Sequence, residues 1–214
     1  MKILAVSDQV VPQIYSATVC QRYGDVELVL GCGDLPYSYL EYIVTKLNVP
    51  CFFVHGNHDK PEYTSGGSVL QEPGGWVNID ERTIRFKDLI LGGLEGSIRY
   101  KPGAPYQYTE TGMALKIARM IPSLVWNRLF RGRYLDILIT HSPLFGIHDD
   151  DDLAHMGFKT LRWFLERFRP RYMLHGHQHI YTPQAYQTWY LETEIINVFP
   201  YHLLEWQPEQ TAAP

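Results

Sequence analysis

No apolar stretch in this chain approaches the ~20 residues that a helical membrane span requires, so no such span is expected. Cysteine is scarce. Cys20, Cys32 and Cys51 are the only three, an odd number at spacings that suit neither a zinc knuckle nor a disulfide framework, which predicts reduced thiols and a cytoplasmic setting. Positive charge is not in excess: 19 Lys and Arg against 23 Asp and Glu leave a net charge of −4, which excludes a broad basic field for bulk nucleic-acid binding. The sequence opens on a strand-like segment with no basic n-region, so no leader is expected, and it shows no internal repeat, linker or low-complexity tract. What remains is 214 residues with 45% apolar content, enough to predict a single domain over residues 1–214 built on one sizeable core.

Short apolar runs alternate with turn residues. The runs at 2–6 (KILAV), 26–30 (VELVL), 51–54 (CFFV), 89–94 (LILGGL), 135–140 (LDILIT) and 171–174 (RYML) read as buried strands. Between them, 37–47, 111–121 and 158–168 have helical periodicity; in the last, Leu161, Phe164, Leu165 and Phe168 share one face. Strand and helix in alternation make the class α/β. Residues 66–75 and 97–108 read as loops, and 181–206 as a closing β segment around TEIINV.

The informative feature is the polar residues standing at the ends of the first, second, third, fifth and sixth of these strands: VSD, GCGD, VHGNHD, THSP and HGHQH. In an open α/β sheet the carboxyl ends of the strands line a common crevice, so residues distant in sequence converge there. Asp8, Asp34, Asn57, His141, His177 and His179 offer carboxylate and amide oxygen and imidazole nitrogen, a mixed set that suits Mn²⁺, Fe or Zn²⁺. Singly, a GD or a GNHD is an ordinary turn, because Gly, Asn and Asp tolerate φ > 0. Ordered and strand-terminal together, they point to a metal site. His177 and His179, two apart, would point to the same side of an extended segment and reach neighbouring ions.

In order, D-x-V, GD, GNHD, H and GHQH resemble the pattern of the calcineurin-like metallophosphoesterase family over most of the chain, which in that family opens with D-x-H. The resemblance implies a four-layer α/β/β/α sandwich of two mixed sheets flanked by helices. It also implies two divalent or trivalent metal ions, Mn²⁺ foremost in vitro. Asp34 would bridge the ions, with Asn57, His141 and His177 completing one site and Asp8 and His179 in the other, while His58 would be the catalytic histidine. The reaction implied is hydrolysis of a phosphodiester or phosphomonoester by in-line attack of a metal-bound hydroxide, on ions ~3.5 to 4 Å apart. His58 would protonate the leaving alkoxide or sit against the developing charge, with Asp59 as a candidate orienting partner.

Every position of the pattern is kept but one. The missing histidine falls at Val10, so the Asp8/His179 site is expected to bind more weakly; water, Gln9 or a group from the 148–158 loop are the alternatives for filling the vacancy. Two loops are expected to read the substrate, 97–108 through Arg99 and Tyr100 and 142–158 through His148 and His155, a mixture that favours a nucleotide-like or aryl diester over a long acyl chain. The acidic run Asp149–Asp152 reads as a solvated loop. Two rival functions are carried forward. One is a non-catalytic scaffold, as in the retromer subunit of this fold; the other is a lipid-linked pyrophosphate hydrolase capped by 111–133, a segment whose simpler reading is core packing with snorkelling arginines.

Overall fold

The computed structural model describes residues 1–63, 66–179 and 186–207. Strands are numbered in chain order. The first sheet has the order β15 (Tyr201–Glu205), β1 (Lys2–Val6), β2 (Leu28–Gly31), β3 (Cys51–Phe53), β6 (Val77–Asn78); β1, β2, β3 and β6 run parallel and β15 is antiparallel to β1. The second has the order β13 (Gln187–Tyr190), β14 (Thr193–Asn197), β12 (Tyr172–His175), β11 (Ile137–Thr140), β8 (Leu89–Leu94), β7 (Thr83–Phe86), with antiparallel strands at both edges of a parallel centre. Two short pairs complete the strands: β4 (Glu62–Tyr63) with β5 (Val69–Leu70), and β9 (Ser97–Ile98) with β10 (Gln107–Tyr108).

The two-residue period of each strand divides its apolar residues between two cores. Ile3, Ala5, Leu28 and Leu30 meet Leu89, Leu91, Ile137, Ile139 and Ile196 between the sheets. Leu4, Val6, Val29 and Phe53 face the other way, under α1 (Val19–Tyr23) and α2 (Tyr37–Leu47). Ile90, Leu138, Met173 and Ile195 face outward from the second sheet, against α3 (Glu110–Arg131) and α4 (Lys159–Phe168). Helix, sheet, sheet and helix give four layers, and the continuous apolar runs are strands covered on both faces.

Several elements differ from the sequence reading. Helix α3 does not stop at 121 but runs through Pro122 to Arg131, because Met120, Leu124 and Asn127 continue its buried face past the proline. Thr109 caps its start, accepting from Gly112 N at 3.0 Å, and Gly132 at φ 77° ends it. Packing on the sheet accounts for only one face of this helix, and Leu115, Trp126, Leu129 and Phe130 lie exposed on the other. The 97–108 segment is a strap closed by the β9–β10 pair, and the 66–75 segment contributes β5. Strands β4, β6 and β7 and helix α1 have no counterpart in the sequence reading, being short and without clear period. Of the closing segment, β14 forms around TEIIN as expected; residues 181–185 lie outside the described residues.

Candidate metal centre

Asp34, His141 and His177 place one donor atom each within 4.8 Å of one another at the carboxyl ends of β2, β11 and β12. His141 is the hub, fully buried, with Nε2 at 3.3 Å from Asp34 Oδ2, 3.0 Å from Asn57 Oδ1 and 3.1 Å from His177 Nδ1. The ring orientations are fixed from behind. His141 Nδ1 donates to the Cys32 carbonyl at 2.8 Å, and His177 Nε2 donates to the Ala154 carbonyl at 2.7 Å, so each ring turns its other nitrogen to the shared space. Asn57 is oriented in the same manner, since its Nδ2 donates to the Tyr100 hydroxyl at 3.1 Å and leaves Oδ1 for the cluster.

Four acceptors therefore face one another, and with neutral rings none of them carries a proton to share. The charge balance reflects that deficit. Burial works against charge on His141, but Asp34 and Asp8 outweigh it and raise the ring to about 10. Burial would likewise raise Asp34, yet the His141 charge and hydrogen bonds from His141 and the His58 N–H hold it at about 2. His177, buried and next to His141, falls to about 4. A buried acceptor cluster that retains a positive charge in its middle suits a divalent cation, and the donors, two imidazole nitrogens with carboxylate and amide oxygen, are of the type borderline metals take.

Asp8 lies beside this cluster. Its carboxylate accepts from the His177 backbone N–H at 3.0 Å and from the Ser7 hydroxyl, and stands 3.8 Å from His179 Nε2. His179 is half exposed and stacked on Phe199 at 4.5 Å; the neighbouring Asp8 carboxylate raises its pKa. The two histidines of GHQH are not on an extended segment. His177 has φ 70°, the chain bends, and the rings reach different partners. Asp8 (φ 62°) and Asp34 (φ 57°) share this left-handed conformation, a strain that marks sites whose surroundings over-determine them. Two glycines make room: a Cβ on Gly56 would sit 2.1 Å from Asp34 Oδ1, and one on Gly176 1.8 Å from Ser7 Oγ. Val10 is packed against the apolar cluster beneath α1 and α2.

His58 has an exposed ring, and its backbone N–H donates to Asp34 Oδ1 at 2.8 Å, so the turn that supplies Asn57 also carries His58 to the cluster. Asp59 does something other than orient His58. Its buried carboxylate accepts from Gly56 N at 2.8 Å and Asp34 N at 3.2 Å, tying the GD and GNHD turns together, and burial followed by the Asp34 charge lifts it to about 6.

Of the loop residues, Tyr100 reaches the cluster through Asn57, whereas Arg99 is exposed and its Nε donates to the Gln107 carbonyl of its own strap at 3.4 Å. His155 is exposed, bound through Nδ1 to Asp152 at 2.7 Å, with its ring centred 5.5 Å from that of His177. His148 faces away from the cluster's donors: Nδ1 meets His175 Nε2 at 3.0 Å and Nε2 meets the Thr188 hydroxyl at 2.9 Å. The acidic run folds its loop rather than merely solvating it, Asp149 accepting from Gly146 and Gly157 and Asp152 from Ala154 and His155. Phe158 is wholly core. The sequence reading missed Ser7, the turn-joining role of Asp59, and the Cys32 and Ala154 carbonyls; only the two side chains had a signal, as neighbours of a motif.

A second buried polar group adjoins the strap. Lys116 Nζ lies 2.6 Å from Asp80, 3.0 Å from Glu81 and 3.4 Å from Glu95, while Glu95 also holds His55 Nδ1 at 3.2 Å, and His55 stacks on Tyr106 at 4.4 Å. These contacts fix the strap that positions Tyr100.

The profile of the family described as calcineurin-like phosphoesterase matches residues 1–181. A protein of Methanocaldococcus jannaschii, "Uncharacterized protein MJ1162", is 25% identical over 194 residues, spanning 84% of this chain and 80% of its own. The crystal structure of TT1561 of Thermus thermophilus superposes with a TM-score of 0.59 at 12% identity, covering 92% of this chain and 88% of that one, a likeness of fold. With the profile covering the strand-end motifs from Asp8 to His179, this chain belongs to the calcineurin-like phosphoesterase family.

Proposed function

We propose that this chain hydrolyses a phosphodiester or phosphomonoester at the crevice above Asp34, with His58 as the group that protonates the leaving oxygen. The observation that carries the reading is the convergence of Asp34, Asn57, His141 and His177 on one space, with His58 on the turn that hydrogen-bonds Asp34. These residues would hold one metal ion; Asp8 and His179, with Asp34 shared, would hold a second more weakly because Val10 brings no donor. Divalent ions, Mn²⁺ foremost and Fe or Zn²⁺ otherwise, supply when bound a positive charge against the phosphoryl oxygens and an acidified water.

The chain's own residues do the rest. Asn57 is held by Tyr100, Asp34 by His58 N–H, and both turns by Asp59, so the site is built before substrate arrives. His58 is exposed and free to meet the leaving group. In this reading Tyr100, Arg99 and His155 would meet the substrate from their two loops, cationic and aromatic groups that suit a nucleotide-like or aryl diester. A cap formed by 111–133 finds no support, since α3 lies along the second sheet and runs away from the crevice. The scaffold reading draws on one observation, that Val10, partly buried against the apolar cluster beneath α1 and α2, stands where the family pattern has a histidine.

The test is kinetic. With Mn²⁺ the protein should cleave an aryl phosphate mono- or diester, a chelator should abolish the activity, and His58→Gln should lower kcat by roughly 10²-fold with metal content unchanged. Metal-replete wild type that turns over no aryl ester, nucleotide or pyrophosphate would leave the scaffold reading in possession.

A further inference from the structure

Helix α3 carries an apolar stripe that nothing among the described residues covers. Leu115, Val125, Trp126, Leu129 and Phe130 are 56%, 43%, 60%, 73% and 66% exposed, and Ala118 and Pro122 fill the stripe between them at helical spacing. The Trp126 and Phe130 rings lie 4.1 Å apart and form one ridge. Burying large side chains is the ordinary outcome of folding, and a contiguous exposed ridge of this kind marks an interaction surface.

The ridge leads into positive charge. At the carboxyl end of α3 an open cavity of about 640 Å³ is lined by Arg85, Arg131, Arg133, Arg169 and Arg171, with Phe130 and Trp206 beside them. Asp88, Asp136 and Glu192 share the lining and engage Arg85, Arg133 and Arg169. Arg131 has no acidic partner among the described residues, and Arg171 binds the Gln207 carbonyl and stacks on Tyr172 and Trp206. On the helix, Arg128 lies over the Tyr134 ring. The sole acid of α3, Glu110, is consumed by the backbone N–H groups of Lys159 and Thr160.

We infer that this face docks on a lipid bilayer with anionic headgroups, the Trp126–Leu129–Phe130 ridge entering the acyl boundary and the arginines of the adjoining cavity meeting lipid phosphates. Charge complementarity selects the occupant: aromatic and Leu residues on one face with arginine at its margin is the composition of an interfacial helix. A second copy of this chain would oppose the ridge with a helix whose only carboxylate is already engaged, leaving Arg128 and Arg131 unpaired. Because the cavity lies before the first residues of β8, β11 and β12, at the sheet edge opposite the metal crevice, docking leaves the crevice open. Docking of this kind does not depend on the phosphoesterase reading.

The experiment is co-sedimentation of the full chain with vesicles of phosphatidylcholine alone or with an equal share of phosphatidylglycerol, at low and high salt. Binding should favour the anionic vesicles, weaken with salt, and shift tryptophan emission to the blue. The triple variant Trp126→Ser, Leu129→Ser, Phe130→Ser, altered only at exposed positions, should lose binding, and Arg131→Glu should weaken it by roughly fivefold or more. Circular dichroism checks that both variants are folded. Failure of the wild type to sediment, equal binding to neutral vesicles, or a dimer in light scattering that the triple variant dissolves would each overturn the inference.

Discussion

At the scale of single residues, the candidate centre works through atoms that point where they do because of what holds them from behind. His141 and His177 each give one ring nitrogen to a backbone carbonyl, of Cys32 and Ala154, and that fixes which nitrogen is left for a metal. Asp34, Asn57, His141 and His177 are legible as strand-end polar residues in an ordered pattern. The carbonyls are not, because a backbone acceptor has no identity in sequence. Val10 is legible as a missing donor, and the structure packs its side chain against the apolar cluster beneath α1 and α2. The expected outcome is an asymmetric centre. Titration of metal-free protein with Mn²⁺ should resolve a tight site that His141→Ala abolishes and a weak one that Asp8→Ala abolishes, and Val10→His should tighten the weak site by at least about tenfold. Two sites of equal affinity in the wild type would show the Val10 argument to be wrong.

At the scale of elements, each strand does two things: its period of two divides apolar residues between cores, and its carboxyl end delivers a polar group. Helix α3 shows where this kind of reading stops. Its period identifies the stripe of Met113, Ile117, Met120 and Leu124 and the stripe of Leu115, Trp126 and Leu129, but both are apolar, and periodicity says which residues lie together without saying which set the sheet will cover. Lys116 sits in sequence among the cations of this segment and is instead 4% exposed, its ammonium among Asp80, Glu81 and Glu95 and 4.3 Å from the centre of the Tyr108 ring. No sequence rule separates such a lysine from its exposed neighbours, since the acids come from segments 21 or more residues away. Removing one partner of a buried ion cluster strands the others. Lys116→Met should therefore destabilise the protein by about 3 to 5 kcal/mol in denaturant titration, and adding Asp80→Asn should recover part of the loss. A change within about 1 kcal/mol would mean that water already screens the cluster.

At the scale of the whole molecule, His148 ties the 148–158 loop to the second sheet. His175 Nδ1 donates to the Gly176 carbonyl, so its Nε2 accepts from His148 Nδ1, and His148 Nε2 accepts in turn from the Thr188 hydroxyl. The chain of bonds requires neutral rings, and burial lowers His148 to about 4. In the unfolded chain this group takes up its proton near pH 6.5, while the folded protein resists until about 4, so stability present above pH 6.5 is lost as pH falls through that window. Between pH 7.5 and 5, wild type should lose roughly 3 °C or more of melting temperature beyond what a His148→Gln variant loses, the carboxylates contributing equally to both. Equal losses would remove His148 from the account. What the sequence by itself determined is the class of the fold, the order of its layers once the family pattern was seen, and the residue types gathered at the strand ends, because alternation, turn residues and ligand chemistry are written locally. Only the tertiary structure decided which ring nitrogen faces the shared space, that Asp59 joins two turns, that His148 serves the sheet and that the outer face of α3 stays uncovered. Each of those is a contact between segments far apart in the chain, and local patterns carry orientation but not neighbours.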